Sequence, residues 1–147
     1  MSTPAAVDLL LVEDDPAAVE LTLRALAQGH ITNPLFVASD GAEALDFIYG
    51  TGPHAERADA PPLKVIFLDL KLPKVSGLEV LKRLKTDPRT SEIPVVVLTS
   101  SAEAPDVQAA YRLGANSYLV KPMDFENFAE AIRTAGLYWL VINKPPR

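Results

Sequence analysis

The chain contains no cysteine, which excludes a disulfide-stapled scaffold and leaves no thiolate for a soft metal. It has no long hydrophobic run: no apolar stretch reaches the roughly 18 residues that a membrane span requires. The first eight residues, Met1-Ser2-Thr3-Pro4-Ala5-Ala6-Val7-Asp8, have neither a basic start nor an apolar core, so they do not read as a secretory signal. The expected location is the cytoplasm. Basic residues are in deficit, 14 against 19 acidic, for a net charge of −5. A duplex-binding surface wants the opposite balance, which argues against nucleic acid as a direct partner. Apolar residues are not scarce: they make up 48% of the 147 residues, enough to exclude disorder and to bury one core. One domain is expected, with its core over about 7–143.

Short unbroken apolar runs punctuate the chain. Leu9-Leu10-Leu11-Val12 stops at Glu13-Asp14-Asp15-Pro16, as a strand buried on both faces would. Asp15 and Pro16 read as the N-cap and first position of a helix to Gln28, with Val19, Leu23 and Leu26 facing the core and Gly29 ending it. Glu20 and Arg24 are correctly ordered for an i,i+4 pair. Pro34 to Ser39 is a second strand, and Ala42 to Tyr49 a second helix after the Asp40-Gly41 turn. The Gly- and Pro-containing segment from Gly50 to Pro62 reads as an inserted loop, long for a compact domain.

The alternation then repeats. Val65 to Leu68 is a strand ending at Asp69, and Gly77 to Lys85 a helix with Leu78, Leu81 and Leu84 inside. Ile93 to Leu98 is a strand ending at Thr99, and Ala102 to Leu113 a helix stopped by Gly114. Ser117 to Val120 is a strand ending at Lys121, and Asp124 caps a last helix reaching about Asn143. Five strand–helix units without an internal repeat predict an α/β fold: a flavodoxin-like, doubly wound five-stranded parallel sheet with five helices.

In such a sheet ligands bind beyond the carboxyl ends of the strands. Those ends carry Glu13 and Asp14, Asp69, Thr99 and Lys121. Singly, each has a bland explanation: Asp14 or Asp15 and Thr99 as helix caps, Asp69 as the start of a turn, Lys121 as a solvated charge. Jointly they are harder to dismiss, because the fold gathers them at one rim. Carboxylates held together repel unless a cation neutralises them. Oxygen ligands suit Mg²⁺, which keeps waters and completes its shell with phosphate. Lys121 adds a compact positive charge and Thr99 a hydroxyl donor. The group suits a phosphoryl beside Mg²⁺, with a carboxylate as nucleophile.

These residues resemble the receiver domain of two-component response regulators. The resemblance rests on Leu10-Leu11-Val12-Glu13-Asp14-Asp15, on Leu68-Asp69-Leu70-Lys71-Leu72-Pro73 through Gly77, on Leu98-Thr99-Ser100, and on Gly114 through Pro122. From Asp69 to Thr99 is 30 residues, from there to Tyr118 19, and to Lys121 three more. The resemblance implies that Asp69 is the phosphoacceptor. Asp14 directly, Glu13 through water, Asp69 and the backbone carbonyl of Lys71 would hold Mg²⁺. Thr99 and Tyr118 would be the switch pair, Lys121 would neutralise the phosphoryl group, and a cis bond would precede Pro122. It also implies a sensor histidine kinase as partner. The long insert, the Glu-Asp-Asp start and the tryptophan-containing final helix are similar to regulators paired with cyanobacterial and bacterial phytochromes, so a bacteriophytochrome is the expected kinase. Lys71 and Ser101, each two residues past a site residue, are expected to tune phosphoryl lifetime.

Only 26 residues follow Lys121, one helix and a Pro-rich tail, so a stand-alone receiver without an output domain is expected. Its output would be protein contact, or onward transfer or draining of phosphate in a phosphorelay. It would be no enzyme beyond its own phosphorylation and dephosphorylation. A haloacid-dehalogenase-like hydrolase is the competing enzyme class, but it wants a second Asp two residues after the nucleophile, where this chain has Lys71. A non-phosphorylated binding module is the third reading, opposed by the complete set Asp14, Asp69, Thr99 and Lys121.

The last helix carries a core stripe of Phe125, Phe128, Ile132 and Ala135, then Leu137 to Ile142 is apolar all round. A helix on a sheet buries about 100° of its circumference, so part of this run lacks a partner within one domain. Either it covers an edge beneath the insert, or Tyr138, Trp139, Val141 and Ile142 form a homodimer interface with the fourth helix and fifth strand. The dimer is the expectation.

Overall fold

The computed structural model describes residues 6–121 and 124–146. Strands β1 (Leu9–Val12), β2 (Leu35–Ala38), β3 (Val65–Leu68), β4 (Val95–Thr99) and β5 (Ser117–Val120) form one parallel sheet in the order β2-β1-β3-β4-β5. The strand order reverses between β1 and β3, where Leu9 lies beside both Leu35 and Val65. Helices α1 (Pro16–Gln28) and α5 (Phe125–Leu137) cover one face, and α2 (Gly41–Tyr49), α3 (Gly77–Thr86) and α4 (Ala104–Arg112) the other.

Period-two geometry divides the core. Leu10, Val12, Ile66, Leu68, Val95 and Val97 pack with Leu45, Phe47, Val80, Leu81, Leu84 and Ala110. Their strand neighbours Leu9, Leu11, Val65, Phe67, Val96 and Leu98 pack with Leu26, Phe128 and Ile132. That is why the strands read as unbroken apolar runs rather than alternating ones: both faces are covered.

Local chemistry sets the helix starts. Asp15, Asp40, Ser76 and Asp124 each accept a backbone N–H from the first turn of the helix that follows. Gly50 ends α2 at φ 65°, and a Cβ there would lie 2.4 Å from the backbone of Ala58.

Three expectations need correction. Leu23 is 36% exposed, whereas Thr22, Ala25 and Leu26 are buried. The inner stripe of α1 keeps Val19 and Leu26 but takes Thr22 in place of Leu23, because α1 packs on α5 as well as the sheet, and Thr22 satisfies its hydroxyl on the Ala18 carbonyl at 2.8 Å. The 50–62 insert is not simply a loop. It contains a 3₁₀ turn, Gly52–Arg57, with the Arg57 guanidinium 3.8 Å from the Phe47 ring centroid and His54 edge-on to Phe36 and Phe47. Helix α4 begins at Ala104, two residues late, because Ser101 occupies the connection and its hydroxyl accepts the Glu103 N–H at 3.4 Å. The last helix does reach Ile142, next to the expected Asn143; it is α-helical to Leu137 and continues as a wider π turn, Tyr138–Ile142.

Candidate functional site

The carboxyl ends of β1, β3, β4 and β5 converge because parallel pairing runs on past the strands. Glu13 N–H donates to the Ala38 carbonyl at 3.0 Å, Asp69 N–H to Val12 at 3.1 Å, and Lys121 N–H to Thr99 at 2.7 Å. Behind Asp69 the backbone is tightly packed: a Cβ on Gly77 would lie 2.1 Å from the Asp69 carbonyl oxygen. Glycine there lets α3 start directly against the residue that follows β3.

Within this frame Lys121 Nζ donates to Glu13 Oε1 and, at 3.2 Å, to Asp69 Oδ2. The other Asp69 oxygen accepts the Lys71 N–H at 3.2 Å, and Glu13 Oε2 accepts the Asp15 N–H at 3.2 Å. Glu13 is 3% exposed, whereas Asp14 faces solvent at the mouth. One carboxylate oxygen from each of Glu13, Asp14 and Asp69 lies within 4.8 Å of the others. Burial pushes the Glu13 carboxyl up to about 6, and the field of Asp69 adds to it, while the Lys121 hydrogen bond pulls the other way. Burial also works against the Lys121 charge, but Glu13 and Asp69 outweigh it and hold the ammonium above the ordinary lysine value.

Thr99 is fully buried, and its Oγ1 is the one buried side-chain polar atom among the described residues with no hydrogen-bond partner. Such an orphan costs about 1–3 kcal/mol unless a ligand or water takes it up. Tyr118 reaches from β5 to the β4–α4 connection, where its hydroxyl donates to the Ser101 carbonyl at 2.8 Å. Glu13, Asp14, Asp69, Lys71, Thr99 and Lys121 therefore lie around one rim, with Tyr118 beside it. Pro122 lies outside the described residues. Tyr138, Trp139, Val141 and Ile142 belong to the turn after α5 and stand apart from this rim. Sequence reasoning missed Asp106, which accepts the Ser101 hydroxyl. Its only signal was an acid in the first turn of α4.

Three oxygen donors with more negative than positive charge suit a hard divalent cation, and Lys121 alone compensates only one of the three carboxylates. The residues present therefore fit Mg²⁺.

The family profile described as the response regulator receiver domain matches residues 9–133. The chain belongs to the response regulator receiver family. Receivers are signalling modules that work with sensor histidine kinases and bind Mg²⁺ or Mn²⁺ at an acidic pocket. This receiver is 37% identical to response regulator Rcp1 of Synechocystis over 90% of this chain and 88% of that protein. The Mn²⁺-bound structure of Rcp1 superposes with a TM-score of 0.87 at 35% identity, covering 96% of this chain and 99% of the other. The phosphorylated cyanobacterial phytochrome response regulator RcpA gives 0.88 at 33% identity, over 97% and 100% of the two chains. The bacteriophytochrome response regulator RtBRR is 47% identical, with a TM-score of 0.76 over 97% of this chain and 85% of that one. No helix among the described residues is long and apolar enough to cross a membrane.

Proposed function

We propose that this receiver takes a phosphoryl group from a sensor histidine kinase onto Asp69. The observation that carries the reading is Lys121, whose ammonium bonds both Glu13 and Asp69 and so draws the ends of β1, β3 and β5 to one point. An Asp69 carboxylate oxygen attacks phosphorus, the new O–P bond forms as the N–P bond of phosphohistidine breaks, and the released imidazole nitrogen takes up a proton. Glu13, Asp14, Asp69 and the Lys71 carbonyl would hold Mg²⁺, which supplies positive charge to the phosphoryl oxygens when bound. Lys121 neutralises a second oxygen, and the unpartnered Thr99 hydroxyl donates to a third. Thr99 and Tyr118 form the switch, since both sit on the rim or the connection beside it. RcpA, a phytochrome response regulator, and RtBRR, a bacteriophytochrome response regulator, support a phytochrome-type kinase as the partner, and the near end-to-end match to them and to Rcp1 supports a single receiver module over about 7–143.

The test is intact mass after incubation with acetyl phosphate and Mg²⁺. Wild type gains one phosphate and Asp69→Asn gains none, because the near-isosteric amide is no nucleophile. A variant that still gains phosphate at the wild-type rate sinks the assignment.

The same reading includes a homodimer through the turn after α5. Tyr138 is 46% exposed, and Val141 and Ile142 are 61% exposed, beside a half-buried Trp139. Trp139 stands edge-on to Tyr138 with ring centroids 4.9 Å apart, and large aromatics of this kind often dominate interfaces. Light scattering should show dimers for wild type and monomers for Trp139→Glu, with phosphate uptake retained. A wild type that stays monomeric at high concentration, phosphorylated or not, removes the dimer.

A further inference from the structure

Ser101 lies two residues past Thr99 in the connection from β4 to α4, and it is 7% exposed. Three bonds meet on it. Its hydroxyl donates to Asp106 Oδ2 and accepts the Glu103 N–H at 3.4 Å. Its carbonyl accepts the Tyr118 hydroxyl at 2.8 Å. One small residue thus joins the first turn of α4, the connection after Thr99 and the aromatic of β5. The bland account is a helix cap, since Glu103 at the N-cap makes no side-chain cap of its own. A cap explains the Glu103 N–H. It does not explain Asp106, which bonds the serine hydroxyl rather than a backbone donor; together with the Glu103 N–H it pins Ser101 to the first turn of α4 from two sides, which restrains the backbone of the connection and thereby the direction of its carbonyl. Tyr118 depends on that direction. Burial raises the Tyr118 hydroxyl, against the Ser101 bond and with help from the field of Asp106, so it stays a protonated donor.

We propose that Asp106 is a positioning residue for the switch: by holding the Ser101 hydroxyl it sets the β4–α4 connection in the shape whose carbonyl tethers Tyr118 before any phosphoryl group arrives. This rests on the reading of Asp69 as phosphoacceptor and of Thr99 and Tyr118 as the switch pair. Tethering fixes the backbone two residues from Thr99, so the connection needs little rearrangement when Asp69 is modified. Loss of the Asp106 bond leaves Tyr118 distributed between tethered and free positions.

The experiment uses the full chain labelled with fluorotyrosine, with the Tyr118 ¹⁹F resonance assigned by its disappearance in Tyr118→Phe. In the absence of phosphodonor, Asp106→Ala should shift that resonance, reflecting a roughly threefold to tenfold loss of the tethered population, the worth of one hydrogen bond. Ser101→Ala cuts the same bond from the other side and should shift it alike, which keeps the test alive if Asp106→Ala folds poorly. Asp106→Asn retains an oxygen acceptor and should stay near wild type. Phosphate uptake from acetyl phosphate should slow by about threefold to tenfold in both alanine variants. A resonance unmoved in both variants reduces Asp106 to a helix cap, and a moved resonance with unchanged uptake removes its role in the switch. Failure of wild type itself to gain phosphate would instead overturn the phosphoacceptor reading, and that result is independent of the fluorine shift.

Discussion

Lys85 and Lys121 are both partly buried lysines with several oxygen partners, and they sit at opposite ends of the sheet. Lys85, near the end of α3, donates to the Ser91 carbonyl at 3.0 Å, the Ile93 carbonyl at 2.7 Å and Asn116 Oδ1 at 3.1 Å. Asn116 Oδ1 also accepts the Val95 N–H at 2.9 Å, so the lysine ties the entries of β4 and β5 to α3. Every partner is neutral, and burial lowers the Lys85 ammonium below the ordinary lysine value. Lys121 meets two carboxylates instead, with a third at the mouth, and is held above that value. One end of the sheet is a finished neutral clip. The other carries excess negative charge and an orphan hydroxyl, a set that suits a divalent cation. Residue type and burial do not separate the two lysines; the charge of their partners does, and the role proposed for Lys121 rests on that charge.

Removing the charge from the functional end gives the largest effect. Lys121→Met should slow phosphate uptake by about 10²–10³-fold, the usual cost of losing one transition-state donor. It should not weaken Mg²⁺ binding, since a cation has left the metal's neighbourhood. A variant that takes up phosphate as wild type does would place Lys121 with Lys85 as a structural clip.

Next comes the metal. Asp14→Ala should weaken Mg²⁺ binding roughly tenfold or more, because one of three clustered charges is gone. Without Mg²⁺ the variant should be no less stable than wild type, and more stable by up to about 1 kcal/mol in denaturant melts, since Asp14 is exposed and its loss relieves repulsion with Glu13 and Asp69. Unchanged Mg²⁺ affinity by titration would take Asp14 out of the ligand set.

The functional end was also the more legible one. Runs such as Leu9 to Val12 and Val65 to Leu68 have one explanation in an α/β chain, and once strand order follows, Glu13, Asp69, Thr99 and Lys121 must share a rim. What escaped depends on contacts no local pattern encodes. Arg57 is buried because Phe47, ten residues earlier, offers both a ring face and a carbonyl to its guanidinium. Asp106 matters because the connection folds Ser101 toward Tyr118, 17 residues on. The rotation of α1 that exposes Leu23 is set by α5, a hundred residues away. The Lys85 clip gave no signal, since a lysine in the last turn of a helix is ordinary.

The smallest effect belongs to that clip and fixes its sign. Lys85→Met should cost about 1–3 kcal/mol, the penalty for stranding partly buried acceptors, and lower Tm by roughly 2–12 °C at this chain length. Phosphate uptake should stay at the wild-type level. The pH dependence then separates the two lysines. The folded Lys85 value lies below that of an unfolded lysine, about 10.4. Between those two values the unfolded chain binds more protons, so stability contributed at Lys85 rises as pH climbs toward the unfolded value. A raised group such as Lys121 does the reverse: its contribution is complete below the unfolded value and is lost as pH rises through the folded one. Denaturant melts of wild type and Lys85→Met at stepped pH values below about 10.4 should therefore show a stability difference that widens with pH. A difference that narrows would mean that Lys85 is held by charge after all, and that the two ends of the sheet use lysine in the same way.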